Sequence, residues 1–83
     1  MNEIHVVGID LGKNVFHLIC MEGHGQIVKR RRCSRRQLFA FFRNIDRCLV
    51  GMEACASAHF VGRTLVELGH DARLMPPISV KIP

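Results

Sequence analysis

Ile4-His5-Val6-Val7-Gly8-Ile9-Asp10-Leu11-Gly12-Lys13-Asn14, running on into Val15-Phe16-His17-Leu18-Ile19-Cys20-Met21, is the stretch that decides the fold. Residues 4–10 are a short β-branched run that stops at Gly12, the pattern of a buried strand. Residues 15–21 form a second such run. Gly12-Lys13-Asn14 between them is too short for anything but a tight turn, so the two strands are expected to be antiparallel. Working outward, Gly23-His24-Gly25 is another turn signal, and residues 26–31 continue as a third strand. The first third of the chain therefore reads as a meander.

Ser34 with Gln37 three residues on is a capping box, and marks a helix start. Leu38, Phe41, Phe42 and Ile45 follow at helical spacing, widened by Phe39, with Arg35, Arg36 and Arg43 off that stripe. Residues 48–53 read as a fourth strand. A second helix follows, with Ser57 as the candidate cap, Phe60, Val61, Leu65 and Leu68 turned inward, and Gly69 just past its end. Residues 72–75 form a fifth strand, stopped by Pro76-Pro77. The expected fold class is α/β, in the order β-β-β-α-β-α-β, with helices packed on a mixed sheet.

The 83 residues allow one small domain. By surface scaling such a chain buries only about 63% of its unfolded surface. With hydrophobic residues at 48% and charged ones at 23%, it is not a disordered composition. Trp and Tyr are absent, so the core must be aliphatic with a few Phe. No basic leader and no long apolar stretch occurs, which points to a cytoplasmic protein without a membrane span. The four cysteines, Cys20, Cys33, Cys48 and Cys55, are expected to be reduced thiols. Cys20, Cys48 and Cys55 lie in apolar runs and read as packed small hydrophobes. Cys55 and His59 have zinc-ligand spacing, but two further ligands are not apparent nearby.

The net charge is +5 and is concentrated. Lys29, Arg30, Arg31, Arg32, Arg35 and Arg36 supply half of the twelve cations within eight positions, while the rest of the chain is nearly neutral. Such a run is either a solvated face or a polyanion site. Nucleic-acid phosphate is the polyanion that fits best, ahead of a membrane surface.

Of the seven carboxylates, Asp10 and Glu53 stand apart. Each lies at the C-terminal end of an apolar strand, the end at which open α/β sheets bind ligands. If strands one and four are parallel neighbours, the two carboxylates approach one another, and a divalent cation relieves their repulsion. Gly8, two residues before Asp10 on the same strand face, leaves room beside it. Metal-assisted phosphoryl transfer is the chemistry such a pair suits, although two carboxylates are too few to hold two metals well.

These residues resemble a known family. Val7-Gly8-Ile9-Asp10-Leu11-Gly12-Lys13 looks like the first strand of RNase H-like, RuvC-type nuclease domains. Gly51-Met52-Glu53-Ala54-Cys55-Ala56-Ser57-Ala58-His59-Phe60 closely resembles the second acidic box of the DEDD insertion-sequence transposases, the "one-ten" family. Leu74-Met75-Pro76-Pro77 resembles that family's segment after the second helix. The resemblance implies an incomplete RNase H-like fold, with residues 1–77 as the N-terminal part of a RuvC-like domain and 78–83 as a divergent or truncated tail. It implies Asp10 and Glu53 as catalytic ligands of Mg²⁺ or Mn²⁺. It implies DNA transposition and recombination, with DNA and a structured guide RNA as partners and a homo-oligomeric assembly. Lys13 joins the six clustered cations as an expected nucleic-acid contact. The family's third and fourth aspartates and its serine domain have no counterpart in this sequence, so catalysis by these 83 residues alone is not expected. Two other classes stay open on the residues: a non-catalytic DNA- or RNA-binding module using the block at 29–36, and a fragment of an actin-like or sugar-kinase ATPase, whose first phosphate loop Asp10-Leu11-Gly12-Lys13-Asn14 also resembles. An under-covered sheet is further expected to self-associate.

Overall fold

The computed structural model describes residues 4–76, and the expectations placed on Pro77 and residues 78–83 lie outside them. Five strands and two helices follow in the order expected. They are β1 (Val6–Leu11), β2 (Phe16–Met21), β3 (Ile27–Cys33), α1 (Arg35–Arg43), β4 (Leu49–Glu53), α2 (Ala58–Glu67) and β5 (Asp71–Met75). The sheet order is β3-β2-β1-β4-β5. β1 pairs antiparallel with β2, and β2 with β3, while β4 lies parallel to both β1 and β5. The sheet is therefore mixed, as the meander followed by α-β-α-β required. The third strand runs two residues further than expected, through Arg32 to Cys33, because its last pair, Phe16 with Cys33, is buried.

Turn chemistry explains the meander. The Gly12 amide donates to the Val15 carbonyl at 3.0 Å. A Cβ at Gly12 would sit 2.4 Å from that same oxygen, so only glycine closes this turn. At the second turn Gly25 takes φ +87°, in the region other residues rarely adopt.

Strand alternation sorts the side chains. Val7 and Ile9 of β1, Phe16, Leu18 and Cys20 of β2, and Val50 and Met52 of β4 are all buried on one face. Both helices pack there. Leu38 and Phe42 of α1 and Ala58, Val61 and Leu65 of α2 complete one core cluster. α1 starts on the expected capping box: the Gln37 amide donates to Ser34 Oγ at 3.2 Å, and the Ser34 amide to Gln37 Oε1 at 2.9 Å. The expected stripe is narrower in fact, since α1 ends at Arg43 and Ile45 lies beyond it.

Three expectations are corrected. Ser57 does not cap α2 with its side chain; its backbone is already helical and its hydroxyl lies 3.6 Å from Cys55 Sγ. Phe60 is not turned inward but 46% exposed, because Ala58, Val61, Gly62 and Leu65 form the buried stripe of α2 and helical periodicity puts Phe60 on the opposite side. Cys55 is exposed rather than packed, since the chain has left β4 for the α2 turn, whereas Cys33 joins Cys20 and Cys48 in the core.

α2 ends in a Schellman motif. The His70 amide donates to the Leu65 carbonyl at 3.0 Å and the Gly69 amide to Val66 at 2.9 Å, with Gly69 at φ +99°. Gly69→Ala is expected to cost about 1 kcal/mol, seen as a shifted denaturation midpoint with unchanged m-value. The motif delivers His70 into the interior, where it is 4% exposed. The Cys48 amide can only donate, so His70 Nδ1, at 3.2 Å, is the acceptor. The proton then rests on Nε2, which donates to the Phe42 carbonyl at 2.7 Å. The ring also packs edge-on against Phe42, with centroids 5.2 Å apart. One imidazole thus ties the end of α1, the start of β4 and the entry to β5.

The thiols differ accordingly. Burial, and then the neighbouring Cys20, push the Cys48 thiol up to about 11. Burial also raises Cys20 and Cys33. The hydrogen bond with Ser57 lowers exposed Cys55. One fast-reacting thiol is expected with a disulfide reagent at neutral pH, and four after denaturation; Cys55→Ser should remove the fast phase. A raised thiol keeps its proton in the folded state, so its stabilisation is complete below the ordinary 9.0 and lost as pH rises toward 11.

Candidate metal and nucleic-acid site

The sheet face away from the helices carries the candidate site. Among the described elements both helices lie on the other side, and this face can be read in three cross-strand rows. The first row is apolar: Ile27, Met21, Val6 and Leu49, ending at Asp71. The second is Arg30, Ile19, Gly8, Gly51 and Arg73. Gly8 and Gly51 are direct partners, but the Met75 side chain lies over Gly51, with its Cε 2.8 Å from where a Cβ would stand, so the bare floor is at Gly8. A Cβ at Gly8 would meet nothing within 4 Å. The third row begins Arg32, His17, Asp10.

Glu53 enters that third row by register. β1 and β4 are parallel, with Ile9 opposite Met52. One residue further along each strand brings Asp10 beside Glu53, on the exposed face and at the C-terminal ends of two central strands. Both are exposed. The parallel pairing of β1 with β4 is the condition on which the carboxylate argument rested. Lys13 is exposed in the β1–β2 turn just beyond the same end.

Two adjacent carboxylates offer hard oxygen donors. Mg²⁺ is held by one or two carboxylates with water and phosphate in its other positions, so the pair fits such an ion. No cluster of three or more His, Cys, Asp or Glu suited to a metal occurs among the described residues. That includes Cys55 and His59, both exposed at the start of α2. Asp71, at the opposite end of its strand, is engaged with Arg73 through contacts of 3.1 and 3.3 Å. That hydrogen bond holds its carboxyl below the usual range.

The basic block, continuous in sequence, is divided by the sheet. Arg30 and Arg32 project on the carboxylate face, opposite Ile19 and His17. Lys29 and Arg31, opposite Cys20 and Leu18, project on the helix face. There Lys29 Nζ lies 5.9 Å and Arg31 Cζ 5.5 Å from the centre of the Phe41 ring. Arg35 and Arg36 are exposed on the first turn of α1, with Arg35 Cζ 5.6 Å from the Phe60 ring centre. A linear tally of charge gave no sign of this division, but the alternation of β3 contains it once its partner strand is known.

No family model matches the chain. Among curated proteins it is 46% identical over 81 residues to the transposase for insertion sequence element IS1328 of Yersinia enterocolitica. That alignment covers 98% of this chain and 24% of the relative. Homologues of this chain are insertion-sequence transposases. A probable family 20 transposase of Pseudomonas aeruginosa is 48% identical over 75 residues, or 90% of this chain and 22% of that protein. The transposase for insertion sequence element IS1111A of Coxiella burnetii is 32% identical over 98% of this chain and 22% of its own length. The chain thus spans about a quarter of the length of the curated transposases it matches. No helix among the described residues is long and apolar enough to cross a membrane.

Proposed function

We propose that this chain acts in DNA transposition as the part of an RNase H-like, RuvC-type transposase domain of the DEDD kind that presents the first two metal-binding carboxylates. The observation that carries this proposal is the parallel β1–β4 pairing, whose last pair, Ile9 with Met52, comes one residue before Asp10 and Glu53 on their strands. The transposase homologues add to it. Asp10 and Glu53 would hold one Mg²⁺ or Mn²⁺. Such an ion, when bound, polarises a phosphodiester and favours ionisation of an attacking water. The chain's own residues do the rest. Arg32 lies in the row that leads through His17 to Asp10, and with Arg30 and Lys13 it attracts the DNA backbone there. The open space above Gly8 leaves room for a DNA backbone beside Asp10.

Two carboxylates hold one cation and leave the second metal of a transposition reaction without ligands. The 83 residues are therefore expected to bind DNA and a divalent ion without cutting DNA. A structured guide RNA and homo-oligomeric assembly belong to the same proposal through the family resemblance. Exposed Ile19, Ile27, Leu49 and Met75 on the sheet face favour the assembly.

The test is Mn²⁺ binding followed by paramagnetic resonance. Asp10→Asn and Glu53→Gln should each weaken it at least tenfold with the thermal melt unchanged. Equal Mn²⁺ affinity in both variants and the parent would refute the metal site. Robust nicking by the unaltered chain, abolished by Asp10→Asn, would refute the claim that it cannot cut alone.

A further inference from the structure

The helix face keeps four cations away from the carboxylates, and their surroundings are aromatic. Lys29 and Arg31 flank Phe41 on one side of α1. On the other side Arg35 lies over Phe60, and Phe39 meets Phe60 edge-on at 6.2 Å and 77°. Arg36 and Arg43, seven residues apart, are exposed between these flanks. None of Lys29, Arg31, Arg35 and Arg36 has an ion-pair partner among the described residues. α1 carries no acidic residue at all. Cations at a helix N-terminus oppose its dipole, so Arg35 and Arg36 do not serve α1 itself.

Charge complementarity calls for a polyanion, and the exposed ring narrows its kind. Duplex DNA hides its base faces, whereas a single strand presents them for stacking on aromatic side chains beside basic residues. Phe60 is 46% exposed, with the Arg35 guanidinium 5.6 Å from its ring centre, within cation–π range. A base can take that ring while Arg35 swings onto the adjoining phosphate.

We infer that α1 and the start of α2 form a second DNA surface, separate from the carboxylate face, that binds single-stranded DNA by stacking a base on Phe60 between phosphates held by Arg35, Arg36, Lys29 and Arg31. The inference rests on the proposal that this chain handles DNA, and it assigns the two parts of the basic block to different strands. Arg30 and Arg32 serve the strand at the carboxylates. The helix-side cations hold a strand elsewhere, so that one chain grips two segments at once.

The chain lacks Trp and Tyr, so Phe60→Trp introduces the only indole. Adding oligothymidylate of about twenty nucleotides, long enough to span one site, should quench its fluorescence by half or more. Phe60→Leu, conservative at an exposed position, should weaken oligothymidylate binding about tenfold by anisotropy. Added to the Phe60→Trp chain, Arg30→Gln with Arg32→Gln should shift the midpoint of that quenching less than threefold, because the indole reports the helix-side surface alone. No quenching at saturation, or a Phe60→Leu affinity within twofold of the parent, would overturn the inference. So would tighter binding of oligouridylate or of duplex DNA. Binding that survives Phe60→Leu but is lost with Arg30 and Arg32 would sink this inference alone. A parent chain that binds no DNA of any form would remove the proposed function along with it.

Discussion

His70→Ala is expected to lower the thermal midpoint by more than about 10 °C, well beyond the effect expected of Gly69→Ala next to it. The change strands two buried backbone groups, the Cys48 amide and the Phe42 carbonyl. Each unsatisfied group costs about 1–3 kcal/mol, and the lost ring contact against Phe42 adds to that. About 3 kcal/mol in all is a large share of the stability of a chain this short. For domains of this size each kcal/mol moves the midpoint by about 4–8 °C. The two bonds can be separated. His70→Asn keeps an acceptor near the Nδ1 position, and His70→Gln keeps a donor near Nε2. Each should recover part of the loss in thermal melts. A His70→Ala chain that melts within about 3 °C of the parent, less than 1 kcal/mol on the same scale, would show that the imidazole is not a tie between α1 and β4.

The second large effect is in salt. Six clustered cations meeting one DNA duplex would give a slope of about −5 in log affinity against log salt. The division of the block across two faces changes the expected value. A single strand lying on the four helix-side cations should give a slope of about −3, or about a fiftyfold loss of affinity between 50 and 200 mM salt. Neutralising Lys29, Arg31, Arg35 and Arg36 to Gln should flatten that slope toward zero. Neutralising Arg30 and Arg32 should leave it nearly unchanged. Anisotropy titrations at four salt concentrations decide between these outcomes. A slope near −5 on a duplex, reduced equally by either set of variants, would mean that one ligand wraps both faces.

The strand and helix order was legible because its signals are local. Gly12 and Gly25 mark turns, the Ser34 and Gln37 side chains cap α1, and Gly69 ends α2, each through contacts within a few residues. β1 and β2 were legible as apolar, β-branched runs, but which of their residues face the core was not. The candidate carboxylates were legible for a related reason, since a charge at the end of an apolar strand is unusual in the sequence itself. What escaped were side chains whose surroundings come from distant parts of the chain. Phe60 reads as a core residue, yet the stripe of α2 that meets the sheet is Ala58, Val61, Gly62 and Leu65, and Phe60 lies on the opposite side of the helix. Cys55 sits in an apolar run, yet lies after the strand has ended. His70 looks like an ordinary turn histidine until its partners, 22 and 28 residues away, are in place.

The sequence by itself determined the class of fold, the positions of its turns and caps, the concentration of positive charge and the two carboxylates to watch. Hydrogen bonds and hydrophobic periods over a few residues are enough for each of these. Only the tertiary structure decided what those groups face. Pairing β1 with β4 in parallel register made Asp10 and Glu53 neighbours, although 43 positions separate them in the chain. Pairing β3 with β2 sent alternate residues of one basic run to opposite sides of the sheet. The physical reason is the same in both cases. A strand's period of two fixes which residues share a face, but only its partner strand fixes what lies on that face.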